Sequence, residues 1–382
     1  MLATALIGTE TVAGTFALIF VFLGLAAFGF WAETTRIGRI FSGVILVILA
    51  GLLLSNLRVV PFQAPFYDAV WSYVVPLAIP LLLFKADLRR ILPELGPVLI
   101  SFVLAVIGTI AGVLIGYLAI PLGPDAPQIV STLGASWIGG SVNFAAVSQA
   151  LAFDDPTLLS AMAAADNVGG TLFLTLLVLL PTWRFLQRAI PSKIMTEEPK
   201  EVEEEEAAAG AVAVPDLAVA LALSAFCCAA GYVIAAALGL ATYGILFVTL
   251  VALLIANLFA ARLTRLAGDF ELGMFFMYVF FAVMGAGADI GAMIANALPI
   301  FAFVGIMAAV HLAVVLGGAK LFRLDLAEAL VASNAVALGP ATAVAMAAGQ
   351  RWQSLVTPAV MLGVLGYAIA NFLGVALANL LP

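Results

Sequence analysis

The chain has 382 residues, of which 65% are hydrophobic and 10% charged, and its mean hydropathy is +1.21. This composition excludes a water-soluble globular protein, because no soluble core buries so large a share of apolar side chains. The formal net charge is -7, and one acidic segment explains it. Because the chain is acidic, we expect no nucleic-acid partner. The chain is predicted to be a polytopic all-α protein of a lipid bilayer.

Apolar runs of about 20 residues, the length that crosses a bilayer core, recur along the chain. They predict about ten membrane-spanning helices, at 11–30, 38–57, 68–84, 96–120, 157–182, 216–238, 242–260, 270–287, 296–318 and 353–380. Two further segments, 127–152 and 325–350, are also long enough to cross. Helix breakers divide them at Gly139-Gly140 and at Gly339-Pro340. Each half holds about 10 to 13 residues, enough to reach the bilayer midplane and turn back.

The basic residues decide whether these broken segments cross the membrane or re-enter it. With two re-entrant hairpins and an outside amino terminus, 14 of the 15 Lys and Arg residues face the cytoplasm, and Arg58 alone lies outside. The positive-inside rule favours this arrangement. We therefore predict a multi-pass protein of the cell (inner) membrane with both termini outside.

Five crossings in each half would place the second half upside down relative to the first. KADLRRILPELGP (85–97) is similar to GADIGAMIANALP (287–299). GASWIGGSVNFAAVSQAL (134–151) corresponds to VASNAVALGPATAVAMAA (331–348). These similarities, together with the charge-derived topology, predict two inverted repeats of five transmembrane helices, each with one broken, re-entrant hairpin.

The predicted repeats occupy residues 1–183 and 215–382. Between them, 184–214 is predicted to be an acidic cytoplasmic linker, with seven glutamates within 197–206. We interpret this segment as a solvated connection; a regulatory or partner-binding loop is the alternative.

The polar breaks predict a binding site. Non-helical backbone at membrane depth is tolerated where protein or a water-filled cavity satisfies it, and two hairpin tips near the midplane form such a cavity. Half-helix ends there direct unpaired N–H or C=O groups at a ligand. The predicted substrate-binding residues are Ser136, Gly139, Gly140, Ser141, Asn143, Ser333, Asn334, Gly339, Pro340 and Thr342. The alternative is that small residues only allow close helix packing.

One carboxylate lies deep in a predicted span. Asp166 is about ten residues into its span, where a lone carboxylate costs at least a few kcal/mol unless it is hydrated, protonated or paired. No Lys or Arg is predicted at that depth. We predict a coupling ion at Asp166, with sodium as the metal and Asn167, Asn143 and Asn334 as further ligands. A protonated structural aspartate is the alternative, and no cofactor beyond a sodium ion is expected.

The run GASWIGGSVNFAAVSQAL, with ADNVGG and ASNAVALGPATAVAMAAG, resembles the YjcL-like family of bacterial and plastid membrane proteins over essentially the whole chain. That family is similar to the sodium/glutamate symporters and, more distantly, to the cation:proton antiporter and bile-acid symporter group. The resemblance implies inverted five-span repeats and a homodimer that moves a substrate-bearing core against a scaffold. Gly139 and Gly140 match the glycine-rich tip of the glutamate symporters, but the polar residues after them differ. Asp166-Asn167 is similar to the paired acidic or Asn-Asp motif of the antiporters, although its order and position are not a strict match.

Three functions remain open from the sequence. The first is a secondary active transporter, a sodium- or proton-coupled symporter of a small organic solute such as an organic anion or amino acid. The second is a cation/proton antiporter without an organic substrate, and the third is an intramembrane enzyme. Hydroxyls and amides at both tips favour symport. The chain has no H-E-x-x-H motif, no G-x-S-x-G motif at a helix entry and no paired deep aspartates, so we predict that it is not an enzyme. It has no P-loop either, so ATP-driven transport would need a separate subunit.

Overall fold

The computed structural model describes residues 5–7, 11–196 and 212–381, and the side chains of 36–42 and 296 are not described. All regular structure in these residues is helical, which confirms the predicted all-α class. The helices of the first half are α1 Val12–Thr34, α2 Arg36–Asn56, α3 Pro65–Ala69, α4 Val75–Leu83, α5 Leu88–Leu95, α6 Val98–Ala119, α7 Ala126–Gly139, α8 Ser141–Ala150, α9 Pro156–Leu179 and α10 Arg184–Ala189. The helices of the second half are α11 Val214–Ala237, α12 Gly244–Leu258, α13 Ala260–Leu263, α14 Asp269–Ala286, α15 Ile290–Phe322, α16 Leu326–Leu338, α17 Pro340–Gly349 and α18 Val356–Leu380.

The predicted spans correspond to helices. Within the described ranges, nine helical segments are long and apolar enough to cross a membrane. The remaining predicted span, 38–57, corresponds to α2, whose described apolar part is Gly43–Asn56. Helix α15 begins earlier than predicted and has 33 residues. The corresponding stretch of the first half is divided into α5 and α6 at Gly96, which adopts φ 49°.

The third span contains a π-helical turn, Val70–Val74, between α3 and α4. Further along this span, Pro80 has no N–H, so the carbonyl of Pro76 loses its helical donor. The thiol of Cys228 in α11 donates to that carbonyl at 3.3 Å. Ser224, one turn earlier in α11, donates to the carbonyl of Leu77 at 2.6 Å. Side chains of α11 thus fasten it to α4.

The long helices pack into two groups. The first helix group consists of α1–α4, α11, α12 and α14, and the second consists of α6–α9 and α15–α18. In the second group, α6 and α15 pack closely because α6 carries Gly108, Gly112 and Gly116 at four-residue spacing. A Cβ atom on Gly112 would lie 2.7 Å from the carbonyl oxygen of Met307.

One side of the bundle carries the segment 184–196, and we call it the linker side. Ser192 Oγ and the backbone N–H of Lys193 donate to Asp325, at the start of α16, at 2.5 and 2.8 Å. Gln350, just after α17, donates to the carbonyl of Val178 near the end of α9 at 3.2 Å. Both ends of α16–α17 therefore lie on the linker side, as a re-entrant segment requires.

The other side carries the ends of α2 and α14 and the start of α9, and we call it the opposite side. Asn56 Nδ2 donates to the carbonyl of Ala288 at 2.9 Å, and the N–H of Asp289 donates to Thr157 Oγ1 at 3.3 Å. Gln149, near the end of α8, lies on this side as well, because it donates to the carbonyl of Trp71 at 2.6 Å.

The inverted repeats and the divisions 1–183, 184–214 and 215–382 stay predictions. Each half contributes corresponding helices to both groups, which is the arrangement that such repeats would produce. The glutamate-rich part of the linker, 197–206, lies outside the described residues.

Single cysteines test the predicted orientation in the membrane. We expect cysteines at Asp125, Asp154 and Ala241 to react with an impermeant thiol reagent from outside. Cysteines at Gln187 and Ala267 should react from the cytoplasm alone, because the positive-inside rule places the linker side there. Labelling of intact cells and of inverted vesicles measures both faces. Outside labelling at Gln187 contradicts the orientation.

Candidate functional site

Both broken segments turn at one glycine each, in the same backbone conformation. Gly140 has φ 79° and ψ −176°, and Gly339 has φ 89° and ψ 179°. This region is open essentially to glycine alone, because a Cβ atom clashes with the backbone there. The predicted breaks are therefore located at Gly140 and Gly339, and each helix resumes at the next residue.

The two halves of each broken segment fold back on each other. In α7–α8, the first hairpin, Ala135 and Val147 are 12 residues apart, yet both lie within 3 Å of the position that a Cβ atom on Gly374 would occupy. In α16–α17, the second hairpin, Asn334 Nδ2 lies 3.4 Å from the sulfur of Met346, again 12 residues away. A continuous helix would separate such pairs by about 18 Å.

A cavity of about 650 Å³ lies between the two tips and extends along α9 towards the linker side. Residues from both tips and from the middle of α9 line it. The predicted site residues among them are Ser136, Gly140, Ser141, Asp166, Asn167 and Thr342. The structure thus brings together the carboxylate and one part of each predicted tip.

Asp166 is joined to the first hairpin by a hydrogen bond. Ser136 Oγ donates to Asp166 Oδ2 at 2.7 Å, and Ser136 is buried while Asp166 is partly exposed to the cavity. The indole of Trp137 also lies beside this carboxylate, but its N–H meets no acceptor at hydrogen-bond geometry. Carboxylate and hydroxyl oxygens are the ligands that hard cations prefer, so Asp166 and Ser136 could hold a sodium ion here.

Residues 19–382 match the model of the protein family of unknown function DUF819. The chain belongs to this family. It is also 37% identical, over 361 residues, to the "Uncharacterized membrane protein YjcL" of Bacillus subtilis (strain 168), which covers 88% of this chain and 89% of the relative. The resemblance to the YjcL-like family is confirmed, and it extends over the hairpins and the cavity.

In this DUF819 member, two predicted site residues of the first hairpin do not line the cavity. Asn143 is 1% exposed and donates to the carbonyl of Tyr367 at 3.0 Å and to Asn371 Oδ1 at 2.7 Å. Gly139 is buried against Asn143 and Ala370, where a Cβ atom would clash with both side chains. Both residues therefore hold the first tip against α18.

The predicted residues of the second hairpin are also largely internal. Asn334 is buried, and its Oδ1 accepts a hydrogen bond from Thr342 Oγ1 at 2.7 Å, which closes the hairpin. Pro340 packs on Gly363 of α18, with its nitrogen 2.5 Å from the position of a Cβ atom there. Of this tip, Thr342 is the predicted residue that reaches the cavity.

Ser333 is bound to the single histidine. His311 is buried, with Nε2 2.8 Å from Ser333 Oγ and Nδ1 2.8 Å from Thr109 Oγ1. Thr109 Oγ1 also lies 3.3 Å from the carbonyl oxygen of Trp137. His311 therefore links Ser333 of the second hairpin, through Thr109, to Trp137 of the first hairpin. Both ring nitrogens of His311 are therefore engaged in contacts within the protein.

The sequence interpretation did not single out two residues near the cavity. Glu33, the penultimate residue of α1, lines the cavity and accepts a hydrogen bond from the buried hydroxyl of Tyr278. Its position at a span end made it look like an ordinary boundary carboxylate. Tyr367 lies between the tips: its Cε1 and hydroxyl are each 3.3 Å from the positions of Cβ atoms on Gly140 and Gly339. No sequence pattern indicates this placement.

Proposed function

We propose that this protein is a secondary active transporter that couples a sodium ion or a proton to the movement of a small solute. The observation that supports the proposal is the cavity itself, in which two oppositely directed broken hairpins present their tips beside Asp166. Transporters of inverted-repeat design bind substrate and coupling ion at such half-helix ends near the midplane. The cavity volume of about 650 Å³ lies in the range of small-molecule sites.

Asp166 is the proposed coupling-ion residue, with Ser136 as its neighbouring ligand. The solute would bind at the tips, where the N–H groups of Ser141 and Val142 in α8 and of Ala341 and Thr342 in α17 have no preceding helical turn to accept them. Ser141 and Thr342 add hydroxyls at these helix starts. We propose an organic anion or amino acid as the solute of a symporter built this way.

Cation/proton antiport is the second candidate, and one observation favours it. The amides of Asn143 and Asn334, which were predicted to recognise an organic solute, form internal hydrogen bonds instead. The cavity has fewer groups for an organic ligand than the sequence suggested, while it contains two carboxylates, Asp166 and Glu33. An antiporter requires little beyond such carboxylates.

The proposal includes a homodimer in the cell membrane, with the linker side in the cytoplasm and no enzymatic activity. The relatives implied by the resemblance form dimers that move a core against a scaffold. The second helix group, which carries both hairpins, would be the core, and the first would be the scaffold.

A thermal-shift screen of the purified protein tests the function. Small metabolites are added with sodium or with choline, because a ligand that binds the folded state raises its melting temperature. Hits are then tested for uptake into proteoliposomes under sodium and proton gradients. Symport predicts solute uptake driven by either gradient, whereas antiport predicts sodium flux against a proton gradient without solute. No flux under any gradient contradicts the proposal.

A further inference from the structure

A second cavity, of about 680 Å³, lies on the opposite side of the bundle from the linker. It is formed where the end of α8 meets the α3–α4 span and the end of α14. Among its lining residues are Tyr67, Asp68, Trp71, Gln149, Asp154 and Met284. Asp68 and Asp154 are exposed, so they raise the local concentration of cations at this mouth.

In the wall of this cavity, a hydrogen bond to the backbone carbonyl of Trp71 joins the two helix groups. This carbonyl has no donor within its own helix. In the π-helical turn, the N–H of Val75 donates to the carbonyl of Val70. The next residue, Pro76, has no N–H, so the carbonyl of Trp71 lacks a helical partner. Gln149 of α8 supplies the donor, with Nε2 at 2.6 Å from the Trp71 oxygen.

Two further contacts lie at this boundary. One is within the first helix group, where the ring of Trp71 packs edge-on against Phe280 of α14, with 4.8 Å between centroids. Ser160 of α9 donates to the carbonyl of Met284 in α14 at 3.2 Å. The Gln149–Trp71 and Ser160–Met284 hydrogen bonds, which join α8 and α9 to the first helix group, therefore lie at the level of the second cavity.

The layer between the two cavities is thin. Along α9, Ser160 precedes Asp166 by six residues, which is about 9 Å of helix. Along α8, Ser141 precedes Gln149 by eight residues, or about 12 Å. The cavity at Asp166 extends to the linker side, and the layer beneath Gln149 closes it on the opposite side.

We infer that the second cavity is the opposite-side access route to the Asp166 cavity, and that the Gln149–Trp71 hydrogen bond is the latch that keeps this route closed. The inference rests on the proposed transport function, which requires access from both sides. Opening would break the Gln149 hydrogen bond and leave the Trp71 carbonyl unpaired until water enters. The latch thus favours the state that is open to the linker side.

Accessibility of one cysteine tests the latch in the full-length protein. The native cysteines are first replaced by Cys227→Ala and Cys228→Ser. The serine hydroxyl keeps a hydrogen-bond donor for the carbonyl of Pro76. The reporter is Ala341→Cys, on the exposed, cavity-lining start of α17. In proteoliposomes of known orientation, an impermeant maleimide should label it from the linker side and barely from the opposite side.

Variants that remove the amide donor of Gln149 should open the access route from the opposite side to the Asp166 cavity. Gln149→Met keeps the length of the side chain, and Gln149→Leu replaces the amide by a shorter apolar group; neither has a donor for the carbonyl of Trp71. We expect each to raise the opposite-side labelling rate about tenfold, the effect of one lost hydrogen bond on a two-state equilibrium. Ser148→Ala is the matched control, because Ser148 lines the same cavity but donates within its own helix, to Ala145.

The latch proposal is wrong if both Gln149 variants are monodisperse and show the same opposite-side labelling rate as the parent protein. A similar increase in Ser148→Ala also overturns it, because the effect would then be general loosening of the cavity wall. The measurement needs no substrate. If the labelling responds but no solute or ion moves in uptake assays, the latch stands and the transport proposal fails.

Discussion

The Asp166→Asn variant is expected to lose saturable sodium binding, with apparent affinity lowered on the order of 100-fold. A carboxylate contributes about 3 kcal/mol more than an amide to a nearby cation in a partly screened site. The substitution keeps the shape of the side chain, and an amide oxygen still accepts the hydrogen bond from Ser136 Oγ. The variant therefore removes the charge while the first hairpin stays attached to α9. Sodium binding to purified protein measures the effect.

The pH dependence gives a second measure of the same site. Protons and sodium compete for one carboxylate, so sodium binding to the wild type should weaken as pH falls, while Asp166→Asn should show no such dependence. Ser136→Ala should weaken sodium binding several-fold, since it removes one neighbouring oxygen worth about 1 kcal/mol. Asp154→Asn is the control, because that exposed carboxylate lies on the second cavity.

Three outcomes separate the alternatives for Asp166. Sodium binding like that of the wild type in Asp166→Asn would mean that the coupling site lies elsewhere, and Glu33→Gln then tests the other cavity carboxylate. If neither protein responds to sodium but transport follows a proton gradient, Asp166 carries the proton. Normal transport by the variant under both gradients would show that Asp166 is structural.

The Gly140→Ala and Gly339→Ala variants are expected to be destabilised by about 1–3 kcal/mol each and to lose transport. Both glycines adopt positive φ with extended ψ, a region that costs a residue with a Cβ atom about this much. Relief of the strain would move the start of the following helix and hence the tip. Gly140→Leu should abolish transport, because its side chain would also collide with Tyr367.

Melting temperatures in detergent and uptake in proteoliposomes check both tip variants. Gly349→Ala is the matched control: it ends the second hairpin, has no positive φ, and a Cβ atom there would meet nothing within 4 Å. Membrane insertion should be intact in all variants. Wild-type transport by Gly140→Leu would show that the tip is a packing element and not a site.

Much of the fold followed from the sequence because its signals are local and strong. Apolar runs of about 20 residues predict spans in any arrangement of neighbours. The two turns were predictable because Gly139-Gly140 and Gly339-Pro340 combine helix breakers within apolar segments. Asp166 could be singled out as a candidate site residue from the sequence, because the energetic cost of a carboxylate at membrane depth does not depend on which helix it faces.

Which of the predicted polar residues line the cavity could be determined only from the tertiary structure. Asn143 and Asn334 were predicted beside the ligand. Instead, the packing of the first hairpin on α18 turns Asn143 towards Asn371, and the folding back of the second hairpin pairs Asn334 with Thr342. Half-helices that are apolar on all faces carry no periodic signal of which face turns inward. Their rotation is set by shape, through Gly363 and Gly366 of α18, against which Pro340 and Ile138 pack.

Contacts between distant elements were likewise decided by the tertiary structure. Pro76 and the π-helical turn leave the Trp71 carbonyl without a donor, but the residue that supplies one, Gln149, is 78 positions away. Glu33 likewise reaches the cavity through its hydrogen bond to Tyr278. The sequence by itself determined which segments enter the membrane and where they break, because those properties depend on transfer energies and backbone sterics of single segments. The tertiary structure decided which polar groups share a cavity, because that depends on how the segments rotate and pack.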